Sequence, residues 1–217
     1  MFWNSILGLF LLLITACVAQ PSQEGTKQSK KISSMNNNTP TDTATFGGGC
    51  FWCTEAIFLQ LKGVQSVVSG YEGGKMPNPT YKDVCTGTTG HAEVIRITYD
   101  PATVSYADLL EIFFKTHDPT TLNRQGNDIG TQYRSVVFYH NEAQKELTQK
   151  AIQALNAEKV YDNPIVTTLE PPATFYAAED YHQNYYNNNP NQGYCAAVIQ
   201  PKVEKFKKVF QEKLKTK

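Results

Sequence analysis

Apolar positions along this chain fall into short blocks with two different periods. In Ala92–Tyr99, Val94, Arg96 and Thr98 alternate with Ile95, Ile97 and Tyr99, a period of two that predicts a strand stopped by Asp100-Pro101. Thr43–Phe46, Val64–Tyr71, Tyr133–His140 and Ile165–Leu169 read as further strands. Helical spacing marks Cys50–Leu61 and Ser105–His117, and Asn141 caps a third helix running through Asn156. Ala178–Tyr186 predicts a short helix, and Val203–Leu214 a basic amphipathic one whose lysines form a solvated face. Glu72–Thr89, Thr120–Gln132 and Pro190–Cys195 read as loops. The order β-α-β-β-α-β-α-β predicts a mixed sheet with helices packed against it, an α/β (α+β) fold of the ferredoxin-like two-layer kind.

The N-terminal residues follow neither period. Ile6–Ala16 is one apolar run, too short to cross a hydrocarbon core of ~30 Å comfortably. It suits the apolar region of an export signal. Ile14-Thr15-Ala16-Cys17 has the form of a bacterial lipobox, so residues 1–17 are expected to be a lipoprotein-type signal with Cys17 carrying the lipid. The first residues lack Lys and Arg, which leaves an uncleaved membrane anchor as the competing reading. Residues 18–42, rich in Ser, Thr, Asn and Gln, cannot form a core and are expected to be a flexible tether. The folded domain is then 43–217, and a second fused domain is not expected in that length. These features place the protein in the cell envelope, exported and lipid-anchored to a bacterial membrane on its periplasmic or outer-membrane side.

Composition narrows the functional classes. The chain carries 20 basic and 20 acidic residues, so no charge excess points to nucleic acid. Five cysteines in 217 residues are too few for a disulfide scaffold. His91, His117, His140 and His182 lie in separate segments without ligand spacing, so no metal is expected. The Gly47-Gly48-Gly49 turn lacks the Lys-Ser/Thr of a phosphate loop.

The chemistry concentrates in Gly47-Gly48-Gly49-Cys50-Phe51-Trp52-Cys53-Thr54-Glu55. A helix starting at Cys50 would present free N–H groups and the positive end of its dipole to that sulfur, favouring a thiolate. The same residues also fit a strand-to-helix turn with a buried cysteine and two core aromatics. Cys50 and Cys53 further form a CxxC at a helix start, a redox spacing.

The stretch Gly-Gly-Gly-Cys-Phe-Trp-Cys-Thr-Glu-Ala-Ile-Phe resembles the signature of the A-type peptide methionine sulfoxide reductase family. Ser69-Gly70-Tyr71, Pro79-Thr80-Tyr81, Gly90-His91-Ala92-Glu93, Asn127–Ser135, Glu179–Gln183 and Gly193-Tyr194-Cys195 match that family in the same order. The resemblance covers roughly residues 43–200. It departs at Cys53, where many members have glycine.

This resemblance implies Cys50 as nucleophile, with Phe51 and Trp52 holding the S-methyl group of an oxidised methionine. Tyr81, Glu93 and Tyr133 would surround the sulfoxide oxygen, with Asp128 supporting them. Partial burial would raise the pKa of Glu93 and keep a proton available for that oxygen. It implies Cys195 as the thiol that resolves the Cys50 sulfenic acid, with Cys53 as the alternative. Cys85 is expected to be a packed structural thiol, and His182 a hydrogen-bonding residue near the site. The implied activity is reduction of methionine S-sulfoxide, free or in proteins, by a monomer without cofactor, recycled by thioredoxin or a related dithiol protein. Two other classes fit parts of the sequence: a CxxC disulfide oxidoreductase and a non-enzymatic anchored binding module. The first has no use for groups that protonate a sulfoxide oxygen.

Overall fold

The structure, a computed structural model, describes residues 40–216. The expected signal with its lipidation cysteine Cys17, and all but the last three residues of the expected tether, lie outside the described residues. Six strands form one sheet in the order β7-β6-β1-β3-β2-β8: β1 Asp42–Gly48, β2 Val64–Glu72, β3 Ala92–Tyr99, β6 Ser135–Phe138, β7 Thr168–Glu170 and β8 Tyr176–Ala177. All neighbours are antiparallel except β6 and β7. Helix α1 (Phe51–Phe58) connects β1 to β2, and α3 (Tyr106–Thr116) lies between β3 and β6. The βαββαβ unit with β1 and β3 central is the ferredoxin-like arrangement that the element order predicted.

The period-two pattern of β3 sorts its side chains. Ile95, Ile97 and Tyr99 enter the main core with Phe46, Ile57, Phe58, Leu109 and Phe113, while Ala92 and Val94 join Val136 and Phe138 in a smaller cluster. Phe46 and Phe113 stack at 4.9 Å between ring centroids, fastening α3 to β1. Ser105 and Asp108 close a capping box at the start of α3. Asn141 Oδ1 accepts from Gln144 N at 2.9 Å and starts α4 (Glu142–Ala157), as the sequence indicated.

Several segments differ from expectation. The loop after β2 contains a short helix, α2 (Tyr81–Cys85), started by a Thr80/Asp83 capping box. The polar segment 120–132 contains a two-stranded hairpin, β4 (Arg124–Gln125) and β5 (Asp128–Ile129). The strand expected over 133–140 is confined to Ser135–Phe138, because Thr131–Tyr133 winds into a 3-10 turn. The helix expected over 178–186 is broken: Asn184 adopts a left-handed backbone (φ 51°) between a 3-10 turn, Asp180–His182, and α5, Tyr185–Asn188.

The last helix begins earlier than its periodicity indicated. A π-helical turn, Cys195–Ile199, leads into α6, Gln200–Val209. Cys195 therefore sits on helical backbone, not at the end of a loop. Past α6 the chain returns to the end of α1. Lys62 N donates to Lys213 O at 2.9 Å, Lys215 N donates to Gln60 O at 2.8 Å, and Leu61 bridges Leu214.

Candidate active site

The site forms where β1 ends and α1 begins. Gly49 has φ +89°, and a Cβ there would stand 2.5 Å from Gln125 Cβ, so the turn needs glycine both for its backbone and for the close approach of β4. Cys50 follows as the N-cap of α1, and its side chain caps no N–H. The first free N–H of the helix, that of Phe51, donates instead to Glu93 Oε2 at 3.0 Å. Glu93 lies on the core side of β3, 2% exposed, and burial pushes its pKa up to about 8. It is a protonated carboxyl at neutral pH, beside Cys50.

Cys50 and Cys53 lie one helical turn apart, with Cys53 N donating to Cys50 O at 3.1 Å. Their thiols share a hydrogen bond and titrate as a pair. The hydrogen bond from Cys50, the Lys202 cation and the Tyr194 hydroxyl lower Cys53 to about 7. Cys50 is held well above the ordinary thiol range by that same hydrogen bond, by burial and by the nearby Glu93. The neighbouring sulfur and burial thus hold the resting Cys50 as a thiol, whereas the dipole argument from the sequence expected a thiolate there.

Two phenols flank the carboxyl. Burial raises the pKa of both Tyr81 and Tyr133, and each senses the charge of Glu93, so both remain hydrogen-bond donors. Asp128, on β5, accepts from Tyr194 Oη at 2.7 Å, and that oxygen lies 3.9 Å from Cys53 Sγ. The structure therefore brings Cys50, Cys53, Glu93, Tyr81, Tyr133 and Asp128 into one neighbourhood, with Tyr194 as an additional member.

The aromatics form one wall. Phe51 is almost wholly covered, packing on Tyr71 and His182 at 5.9 and 5.2 Å. Trp52 is half-buried and stacks on Tyr185 at 3.7 Å with 7° between the planes. Its Nε1–H donates to His182 Nδ1 at 3.1 Å, which puts any proton of a neutral imidazole on Nε2. Burial lowers the His182 pKa.

Segment 179–185 is fastened over this wall by two carboxylates, Glu179 and Glu55, that the sequence motifs contain without indicating a role. Glu179 accepts from Tyr81 N at 2.9 Å and from Tyr71 Oη at 3.0 Å. Glu55, 1% exposed on α1, accepts from Asn184 N at 2.8 Å and Tyr185 N at 3.2 Å, and burial raises its pKa. The left-handed Asn184 turns both N–H groups towards it. An acid among the apolar residues of α1 was the available signal for Glu55. Tyr194 was quoted within a motif but given no role.

The remaining cysteines separate. Cys195 is wholly buried on the π-turn, which packs against α1. Cys85 ends α2 and is exposed, contrary to the expected packed thiol. A five-residue helix leaves its last residue facing out.

Residues 42–214 match the family model described as peptide methionine sulfoxide reductase. The chain is 52% identical over 199 residues to peptide methionine sulfoxide reductase MsrA of Deinococcus radiodurans, covering 89% of this chain and 97% of that protein. It is 60% identical over 174 residues to the protein of the same name from Nitratiruptor, covering 80% of this chain and 99% of that one. Among solved structures it resembles reduced Mxr1 from Saccharomyces cerevisiae, with TM-score 0.66, 35% identity, and coverage of 73% and 91% of the two chains. Methionine sulfoxide reductase A of Corynebacterium diphtheriae gives TM-score 0.62 and 36% identity, covering 72% of this chain and 79% of that one.

Proposed function

This chain belongs to the peptide methionine sulfoxide reductase family, and from that premise we propose that it reduces methionine S-sulfoxide, free and in proteins, through the thiol of Cys50. The observation that carries the reading is the Glu93 carboxyl. It is buried, protonated up to about pH 8, and held at 3.0 Å by the N–H of the residue following Cys50.

A sulfoxide oxygen leaves only as it gains a proton. Glu93 supplies that proton, and the hydroxyls of Tyr81 and Tyr133 stabilise the negative charge on the oxygen. Cys50 acts as its thiolate, with the Cys53 sulfur one turn away to take up the proton it gives up. Cys50 then attacks the substrate sulfur, and the oxygen is transferred to Cys50. Methionine leaves reduced by two electrons, and Cys50 is left as a sulfenic acid. Neutral Glu93 also favours the attack, because only its ionised form opposes a charge on Cys50. Phe51 and Trp52 receive the S-methyl group, and Asp128 orients Tyr194 beside the thiol pair. Cys195 completes the cycle as the resolving thiol, and the resulting disulfide is reopened by thioredoxin or a related dithiol protein.

The address is part of the same reading. Residues 1–17 serve as a lipoprotein signal, Cys17 carries the lipid, and the enzyme acts as a monomer in the cell envelope on oxidised proteins.

The test is reduction of the separated R and S epimers of dabsyl-methionine sulfoxide by the purified protein with dithiothreitol. Dabsyl-methionine should form from the S epimer alone. Formation from neither epimer, in a folded protein with reduced thiols, rejects the reading.

A further inference from the structure

The aromatic wall beside the thiols runs on beyond the groups used so far. The Tyr181 ring lies 4.2 Å from that of His182, and the His182 ring lies 4.5 Å from Tyr81, 5.2 Å from Phe51 and 5.5 Å from Trp52. Tyr181 itself is 61% exposed. It is thus the outermost ring of a continuous stack that starts at the S-methyl pocket and ends in solvent. A ring this open contributes little to the core, so its apolar face is available to something else.

Two acids precede it in the chain. Against the cost of its partial burial, hydrogen bonds from Tyr81 N and Tyr71 Oη hold the Glu179 pKa below the usual carboxylate range, so Glu179 is ionised at neutral pH. Asp180 is exposed. Among the described residues neither acid forms an ion pair with a lysine or arginine. His182 Nε2 lies 4.0 Å from Glu179 Oε2, but burial lowers the His182 pKa and leaves the imidazole uncharged at neutral pH. The phenol of Tyr181 is raised by the part of it that is covered and by the Glu179 charge, so the ring stays neutral in a negative field. An open π-face beside acids that lack a cation is the complement of a cationic side chain.

Resting on the proposed reductase function, we propose that Tyr181, with Glu179 and Asp180 beside it, forms a subsite for a lysine or arginine that neighbours the oxidised methionine in a protein substrate. With the sulfoxide side chain between Phe51, Trp52 and Tyr81, the next residue of the substrate has its Cα 3.8 Å along the chain. Its long aliphatic stem lies across His182 and its charged head reaches Tyr181. Arginine fits better than lysine, because its planar guanidinium stacks on a ring. A glutamate in the same place meets the Glu179 charge and is disfavoured. Free methionine sulfoxide has no neighbouring side chain and leaves the subsite empty. Tyr181 is therefore a specificity residue that sorts protein substrates and takes no part in the chemical step.

The experiment is competition among acetylated peptide amides of methionine S-sulfoxide, reduced in one mixture by the full-length protein with dithiothreitol and followed by mass spectrometry. The residue before or after the sulfoxide is arginine, lysine, norleucine or glutamate. Each mixture gives ratios of kcat/KM within a single protein sample, so a variant that is merely less stable leaves them unmoved. At one of the two flanks wild type should prefer arginine and lysine over norleucine by roughly three- to fivefold, the size of an exposed cation–π contact, with glutamate below norleucine. Tyr181→Phe should keep that ratio and Tyr181→Leu should bring it close to one. Asp180→Asn, a change at an exposed side chain, should lower the ratio and weaken its dependence on salt. Equal rates for cationic and norleucine peptides at both flanks of wild type, a preference for norleucine, or an unchanged ratio in Tyr181→Leu overturns the subsite. Methionine formed without the expected ratios rejects only the subsite, whereas no methionine from any peptide with wild type rejects the underlying function.

Discussion

Replacing Glu93 by glutamine should move stability and activity in opposite directions. The carboxyl titrates near 4.5 in the unfolded chain and at about 8 in the folded one. Below pH 4.5 both states hold the proton and burial of Glu93 costs the fold nothing pH-dependent. As pH rises the unfolded chain gains an ionised, solvated carboxylate while the folded site keeps its proton, so stability is lost progressively until about pH 8. At 1.36 kcal/mol per pH unit the loss reaches about 3 kcal/mol at pH 7. Glutamine does not titrate, and its side-chain oxygen can still accept from Phe51 N. The variant should therefore match wild type near pH 4.5 and exceed it by about 3 kcal/mol at pH 7, a rise in melting temperature on the order of 10 °C. Urea unfolding of both reduced proteins at several values between pH 4.5 and 7 gives the difference. The amide cannot hand over a proton, so single-turnover release of methionine at pH 7 should fall by roughly 10²–10⁴-fold. A variant less stable than wild type across this range would show that Glu93 is held ionised. One that reduces sulfoxide at near wild-type speed would show that the oxygen takes its proton elsewhere.

Cys50→Ser should stay folded and release no methionine even in one stoichiometric turnover with dithiothreitol; more than a few per cent of the wild-type yield refutes its role as nucleophile. Glu55→Gln leaves one acceptor for two N–H groups, at Asn184 and Tyr185, so unfolding free energy should drop by about 1–3 kcal/mol. The wall of Trp52 and Tyr185 should loosen with it, raising KM more than it lowers kcat; an unchanged KM would separate the clamp from substrate binding. For the address, mass spectrometry of the mature protein should find a diacylated or triacylated Cys17 at the N-terminus, whereas an intact Met1 would favour an uncleaved anchor.

What could be read in the sequence depended on range. The strict alternation of Ala92–Tyr99 located β3 to the residue, and the Ser105 and Asn141 caps located two helix starts, because each signal acts within four residues. The Thr80/Asp83 box carried the same information for α2, but five residues give no period to support it. The hairpin at 124–129 owes its position to Gln125 under Gly49, a packing contact without a local signature. Cys50, Glu93, Tyr81, Tyr133 and Asp128 were found through the family resemblance, and burial of Glu93 followed from its place in an apolar strand. The Glu55 clamp, the Trp52–His182 bond and the helical setting of Cys195 join residues far apart in sequence, where neither period nor spacing speaks.

That separation also bears on how the enzyme is made. Trp52 meets His182, Glu55 meets Asn184, and Cys53 meets Tyr194 across 129 to 141 residues, and the chain's last described residues fasten onto the end of α1. The ribosome delivers the reactive sulfur early and the wall around it at the end, so the contacts that tune it are among the last to form. A chain cut short just before Tyr194 would keep Glu93 beside Cys50 but lack the Tyr194 hydroxyl and the turn at Cys195 that pack by Cys53 and α1. The surroundings of Cys53 are therefore completed only once the C-terminal segment has been made.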